Sequence, residues 1–266
     1  MEYIQLPEGK MPVIGLGTWD LRGVQCEKAV LQALELGYRH IDTAEFYDNE
    51  EFIGKALRRS GIAREEIFLT SKVWYTHLRY AEVLRALDRS LEKLQTDYLD
   101  LYLIHWPNLE VPLEETLQAM AEAKEQGRIR HIGVSNFEID LLEKAISISS
   151  YPLVNDQVEY HPLLSQKELL TYCQNHRIVL TAYCPLARGR AVREPLIRDV
   201  AAKYGKTPAQ VVLRWLIQQK MVVAIPKAAS LEHQKENLEI FDFQLTEEDM
   251  QAISGLARGE RVASRL

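Results

Sequence analysis

The chain has 266 residues, 47% apolar and 26% charged, an ordinary composition for a folded globular protein. Its net charge of −6 and pI near 5.7 argue against nucleic-acid and membrane-surface partners, leaving room only for local basic patches that hold small anions. No apolar run approaches the ~20 residues of a membrane span, Met1-Glu2-Tyr3 lacks the features of a signal peptide, and Cys26, Cys173 and Cys184 form no C-x-x-C pair, the pattern of reduced thiols in a cytoplasm.

The elements alternate along the chain. Tyr3 to Leu6, a turn at Pro7-Glu8-Gly9-Lys10 and Val13 to Gly17 read as an N-terminal hairpin leading into a first strand. A helix over 26–36 is stopped by Gly37, and 39–43 is too short and too turn-bounded to be anything but a strand. Helix 50–59 and strand 67–71 follow, then helix 81–94 with Leu84, Leu87, Leu91 and Leu94 on one stripe. Strand 99–104, helix 113–126 with Gly127 as its stop, strand 129–134 and helix 139–146 keep the rhythm. So do 153–158, 166–175 and 178–183. Thr207-Pro208-Ala209-Gln210 opens a helix by cap, first-turn proline and capping-box glutamine; strand 221–225 and a helix capped by Thr246 end the series.

Eight strand–helix alternations without a linker predict one α/β domain over 1–266, a closed (β/α)8 TIM barrel, whose usual size is ~250 residues. A doubly wound sheet is the alternative, but Gly15-Leu16-Gly17 meets Asp20 where its nucleotide fingerprint needs a third glycine.

In a barrel every strand delivers its carboxyl end to one mouth. That gathers Thr18, Trp19 and Asp20; Asp42 and Tyr47; Lys72 and Trp74; His105 and Trp106; Ser135 and Asn136; Gln157, Glu159 and His161; Tyr183; and Pro226-Lys227. Any one of them is better read as a capping or core residue. Together, a lysine, an aspartate, a tyrosine and a histidine beside three tryptophans form a polar site with apolar walls. An ammonium beside a phenol favours the phenolate and is expected to lower its pKa from ~10. Asp42 is expected to hold Lys72 charged, and His105 to hydrogen-bond the same oxygen as Tyr47, giving a pocket that protonates a polarised carbonyl. No metal-ligand spacing is present. A hydride must then come from a cofactor, with Ser135, Asn136 and Gln157 suited to a carboxamide and Tyr183 to stacking.

Three stretches carry a specific resemblance: Gly37-Tyr38-Arg39-His40-Ile41-Asp42-Thr43-Ala44, Gly133-Val134-Ser135-Asn136-Phe137, and Gln157-Val158-Glu159-Tyr160-His161-Pro162. With them the chain resembles the aldo-keto reductases over nearly its whole length, most of all the short prokaryotic members typified by 2,5-diketo-D-gluconate reductase. The resemblance implies a barrel with a hairpin closing its base, a nicotinamide cofactor in the mouth, and Asp42, Tyr47, Lys72 and His105 as catalytic residues. It implies cofactor contacts at Thr18, Trp19, Asp42, Ser135, Asn136, Gln157 and Tyr183, and a loop over the pyrophosphate at Cys184, Pro185, Leu186 and Arg188. Further contacts would come from Pro226, Lys227, Ala228, Ser230, His233, Glu236 and Asn237, and substrate contacts from Trp19, Tyr47, Trp74, His105 and Trp106.

There are departures. Asp156 stands where the family usually has asparagine, with little effect expected. Ala228 and His233 replace a serine and an arginine that, with the lysine at Lys227, usually hold the 2′-phosphate of NADP. NADP(H) is therefore the expected cofactor with NAD(H) also usable. A short loop after His105 and only ten residues after Leu256 predict an open mouth. The expected function is NAD(P)H-dependent reduction of a small carbonyl substrate by a cytoplasmic enzyme, monomeric because the terminal stretch 259–266 is polar and no apolar stripe is left over. The competing functions are a Schiff-base lyase using Lys72 and a non-catalytic cofactor-binding protein of the same fold.

Overall fold

Residues 1–263 are described by the computed structural model; positions 264–266 of the polar terminal stretch lie outside the described residues. The chain opens with an antiparallel hairpin, β1 (Tyr3–Gln5) and β2 (Lys10–Pro12). The repeating units follow: β3 (Leu16–Gly17), α1 (Gly23–Leu36), β4 (His40–Asp42), α2 (Glu50–Ser60), β5 (Phe68–Val73), α3 (Tyr80–Leu94), β6 (Leu99–Ile104) and α4 (Leu113–Glu125). The second half supplies β7 (Ile129–Ser135), α5 (Ile139–Ile148), β8 (Leu153–Glu159), α6 (Lys167–Asn175), β9 (Val179–Tyr183), α7 (Pro195–Tyr204), α8 (Pro208–Ile217), β10 (Val222–Ala224), α9 (Leu231–Leu238) and α10 (Glu247–Ser254).

Strands β3 to β10 form one parallel eight-stranded sheet in sequential order. A parallel bridge between Ile14 and Ala224 joins its two edges, with Gly15 N–H donating to Ala224 O at 2.9 Å and Gly17 N–H to Pro226 O at 3.1 Å. The barrel is thus closed. Gly17 is obligatory at this seam: a Cβ there would stand 2.5 Å from the Ile225 carbonyl oxygen.

Two apolar clusters follow from the strand period of two. Outward residues such as Ile41, Leu69, Ile104 and Val134 join the helices in the larger cluster. Inward residues Phe68, Leu101, Leu103, Val179 and Val223 fill the lower barrel, where Leu6 and Met11 of the hairpin close it from below. The hairpin is pinned there by Lys124 donating to Glu8 at 2.8 Å and by His131 on the Glu8 carbonyl.

The helix ends follow the expected signals. Gly37 stops α1 at φ 103°, Thr207 and Gln210 form the capping box of α8, and Thr246 caps α10. Helices α7 and α9 have no counterpart in the sequence reading. The buried face of α9 consists of Gln234 and Asn237, so no apolar period marks it.

Asp156 points away from the mouth, into the layer between β8 and α6, where it lies close enough to raise the Cys173 thiol pKa. It is fully buried and neither carboxyl oxygen has a partner of normal geometry. Burial pushes its pKa well up, against a weak opposing contribution from the Phe137 backbone. The native state then holds this proton more tightly than the unfolded chain, where aspartate titrates near ~3.9. Stability is full below that pH and falls as pH rises towards the native pKa. Asp156→Asn should abolish this slope and remove the loss of stability on going from pH 4 to pH 8, measured by urea unfolding across that range; parallel profiles for the two proteins would refute it.

Candidate active site

Inward positions at the top of the barrel change from apolar to polar. Asp42, Lys72, Ser135 and Gln157 are buried there, one on each of β4, β5, β7 and β8, and His105 follows directly on β6. Lys72 Nζ donates to Asp42 Oδ1 at 2.6 Å and to the Thr43 carbonyl at 2.7 Å, and lies 3.5 Å from Tyr47 Oη. With the side chains of the ion pair 0% and 2% exposed, all three ammonium hydrogens have a direction and the amine has no free lone pair. Gln157 Nε2 donates to the other Asp42 oxygen at 2.7 Å.

From Gln157 the network continues. Ser135 donates to the Gln157 carbonyl at 2.7 Å, Asn136 Nδ2 to Ser135 Oγ and to the His105 carbonyl, and Tyr183 Oη to Asn136 Oδ1 at 2.8 Å. The four residues assigned to a nicotinamide ring and its carboxamide are therefore adjacent, and they are joined to the Asp42–Lys72 pair by hydrogen bonds. Asn136 takes a left-handed conformation, φ 63°, which asparagine tolerates better than most residues.

The direction of the Tyr47 pKa differs from the sequence expectation. Burial raises it well above 10, the Asp42 carboxylate adds to the rise, and the nearby ammonium does not overcome them. The phenol is thus kept in its proton-bearing form. Burial likewise lowers His105 well below the usual histidine value, with the Lys72 charge acting the same way, so its imidazole is neutral. Its Nδ1 is buried without a partner, and its ring stands edge-on to Tyr47 at 5.5 Å.

Above this polar floor lies an aromatic slot. Trp19 and Trp74 flank Phe46, which stacks on Trp74 at 3.8 Å and lies parallel to Trp19 at 6.0 Å. Phe46 is a wall residue that the sequence reading passed over, although it sits between Glu45 and Tyr47 in a 3-10 turn (Glu45–Tyr47). Glu45 braces this wall, accepting the Trp74 backbone N–H at 2.5 Å and facing His77. Trp106 is half-buried and has no ring contact with the stack among the described residues.

The remaining expected positions divide. Thr18 Oγ1 donates to the Asp42 carbonyl and braces the strand end. Asp20 is exposed and paired with Arg22. Lys227 and His233 are exposed at the approach to α9, whose Ser230 cap accepts the His233 N–H. Ala228 and Asn237 are buried, Asn237 against the Tyr38 hydroxyl, and Glu236 is engaged by Thr207. Cys184, Ala187 and Arg188 all have φ near +50°, a strained run for side-chain-bearing residues. The tail folds back onto Glu159 at the end of β8.

Residues 13–258 match the Aldo/keto reductase family. The chain belongs to that family. Glyoxal reductase of Bacillus subtilis (strain 168) is 45% identical over 98% of this chain and 95% of its own length. Methylglyoxal reductase DkgB of Escherichia coli O157:H7 is 42% identical, covering 96% of each chain. Among solved structures, a putative 2,5-diketo-D-gluconic acid reductase B superposes with a TM-score of 0.94 at 42% identity, over 96% of this chain and 92% of the other. This aldo-keto reductase is accordingly an oxidoreductase that reduces carbonyl groups with a nicotinamide nucleotide. Its barrel and basal hairpin agree with the sequence expectation. No described helix is long and apolar enough to cross a membrane, and the described residues hold no cluster of metal ligands.

Removing one partner from a buried ion pair leaves the other charge uncompensated, at ~3–5 kcal/mol. Lys72→Met should lose stability on that scale in denaturant unfolding, and adding Asp42→Asn should recover part of it. Equal stabilities for wild type and Lys72→Met would show that the pair is not buried as described.

Proposed function

We propose that Tyr47 is the general acid of this reductase, that Lys72 and Asp42 hold it, and that His105 orients the substrate carbonyl. The observation that carries this reading is the buried chain from Asp42 through Lys72 to Tyr47 Oη, opening under the aromatic slot. A nicotinamide nucleotide, when bound, would supply the hydride. Tyr47 supplies the proton to the carbonyl oxygen from a phenol that burial keeps neutral. His105, also neutral, can offer a ring N–H to the same oxygen. Trp19, Phe46 and Trp74 give the substrate an aromatic wall beside the reacting group. Trp106 completes the substrate wall in this reading.

The residues fit a nicotinamide cofactor. Ser135, Asn136 and Gln157 offer the amide and hydroxyl groups that a carboxamide needs, and the Tyr183 ring stands beside them. Thr18, Trp19, Cys184, Pro185, Leu186 and Arg188 belong to the loops around that position, while Pro226, Lys227, Ala228, Ser230, His233, Glu236 and Asn237 lead into and along α9. A Schiff-base role for Lys72 is disfavoured, because its nitrogen is fully buried and committed to three oxygens. We read the protein as one catalytic domain, a cytoplasmic monomer. Its three unpaired cysteines support the compartment, and the absence of a membrane-spanning helix among the described residues is compatible with it.

Tyr47→Phe keeps the ring and loses the proton. Turnover of a small aldehyde should fall ~10²–10⁴-fold with the nucleotide dissociation constant nearly unchanged; near-normal turnover would remove Tyr47 from this role.

For the cofactor we propose that NADPH is favoured through Lys227 and that NADH is usable. An arginine is always charged and binds phosphate as a fork; a histidine donates fewer hydrogen bonds. A hydrogen bond to a charged group contributes ~1.5–3 kcal/mol, roughly ten- to a hundredfold in affinity. His233→Arg should tighten NADPH by that factor and leave NADH unchanged in fluorescence titrations. Identical shifts for both nucleotides, or none, would place His233 away from the 2′-phosphate.

A further inference from the structure

We propose that the tail, residues 258–263, positions the loop 184–194 and thereby limits nucleotide exchange, with Glu159, Glu194 and Glu260 as positioning residues. The proposal rests on the carbonyl-reductase reading above. Glu159 ends β8 two residues beyond Gln157, on the same inward face, and its side chain is 1% exposed. Its carboxylate grips the tail backbone, accepting Val262 N–H at 2.6 Å and Ala263 N–H at 3.2 Å, with His161 Nε2 at 3.0 Å. The Leu163 carbonyl receives the N–H groups of Arg258 and Glu260. The tail is thus fastened to the loop after β8.

Its side chains reach the other loop. Glu260 pairs with Arg190 at 2.8 Å, and Arg258 with Glu194 at 2.8 Å; Arg258 and Glu260 also pair with each other. The loop they hold leaves β9 directly after Tyr183 and contains Cys184, Ala187 and Arg188 in left-handed conformations. Residues in such conformations persist only where their surroundings over-determine them, and here the surroundings include the tail. The loop's starting point, Tyr183, is hydrogen-bonded to Asn136, so loop position and nicotinamide position are mechanically joined. Letting a nucleotide out past this loop requires the tail pairs to open.

The test is the double variant Glu194→Gln/Glu260→Gln, two residues outside the catalytic and binding set. Nucleotide dissociation, followed by stopped-flow tryptophan fluorescence, should speed up about three- to thirtyfold, the combined effect of two exposed ion pairs. The single-turnover hydride-transfer rate at saturating nucleotide should stay within about twofold. Salt at about 1 M, which screens such pairs, should bring the wild type towards the variant. In the nucleotide-free protein, tryptic cleavage after Arg258 and Arg261 should accelerate in the variant. Faster cleavage with unchanged dissociation would show a tail fastened but not coupled to the loop, and would overturn the proposal. So would no change in either. A wild type that binds no nicotinamide nucleotide would overturn the carbonyl-reductase reading itself, a distinct result.

Discussion

The Asp42–Lys72 ion pair is the constraint around which the upper barrel is built. Two charges removed from water carry a large desolvation cost, tolerable only when every remaining donor and acceptor is met. Here Gln157 covers the second carboxylate oxygen, the Thr43 carbonyl takes a second ammonium hydrogen, and Tyr47 stands in the third direction. Side-chain placement and charge satisfaction are therefore one problem with one solution. Tyr47 stands where it does partly because the lysine needs an oxygen there. The same burial that makes the pair costly raises the tyrosine and lowers the histidine, so both are neutral, and the phenol holds its proton more tightly than a free tyrosine does.

That arrangement is delivered by the strand period of two. Phe68 and Lys72 lie on one face of β5, Leu101 and Leu103 lead to His105 on β6, and Val179 leads to Tyr183 on β9. The lower inward residues are oil and the upper ones are chemistry. The hairpin seals the oily end, so among the described residues the barrel opens over the polar layer.

Much of this was legible in the sequence because it is periodic or punctuated. The strand bounds 99–104 needed no correction, and Gly37 and the Thr207 capping box acted as their residue types dictate. Asp42, Tyr47, Lys72 and His105 could be brought together because barrel topology leaves strand ends only one place to meet. What escaped lacked such a signal. Helix α9 buries amides instead of a leucine stripe, and Phe46 becomes a wall only once a 3-10 turn lays it against Trp74. The Tyr47 pKa direction depends on how deeply the ring is desolvated, which residue types alone do not encode. The tail's fastening depends on backbone N–H groups that every residue but proline carries.

The seam between Ile14 and Ala224 has a consequence in time as well as in space. It joins strands from opposite ends of the chain, and Gly17 leaves no clearance between them. Seven neighbouring strand pairs can zip locally, each to the next in sequence; the seam must instead bring the last strand back across the whole chain, and contacts of such long range form late. Lys227 follows that last strand within a few residues. A ribosome-bound chain that has already paired Asp42 with Lys72 therefore still lacks the closing strand and the Lys227 segment beyond it, and the barrel closes only with the final stretch of synthesis.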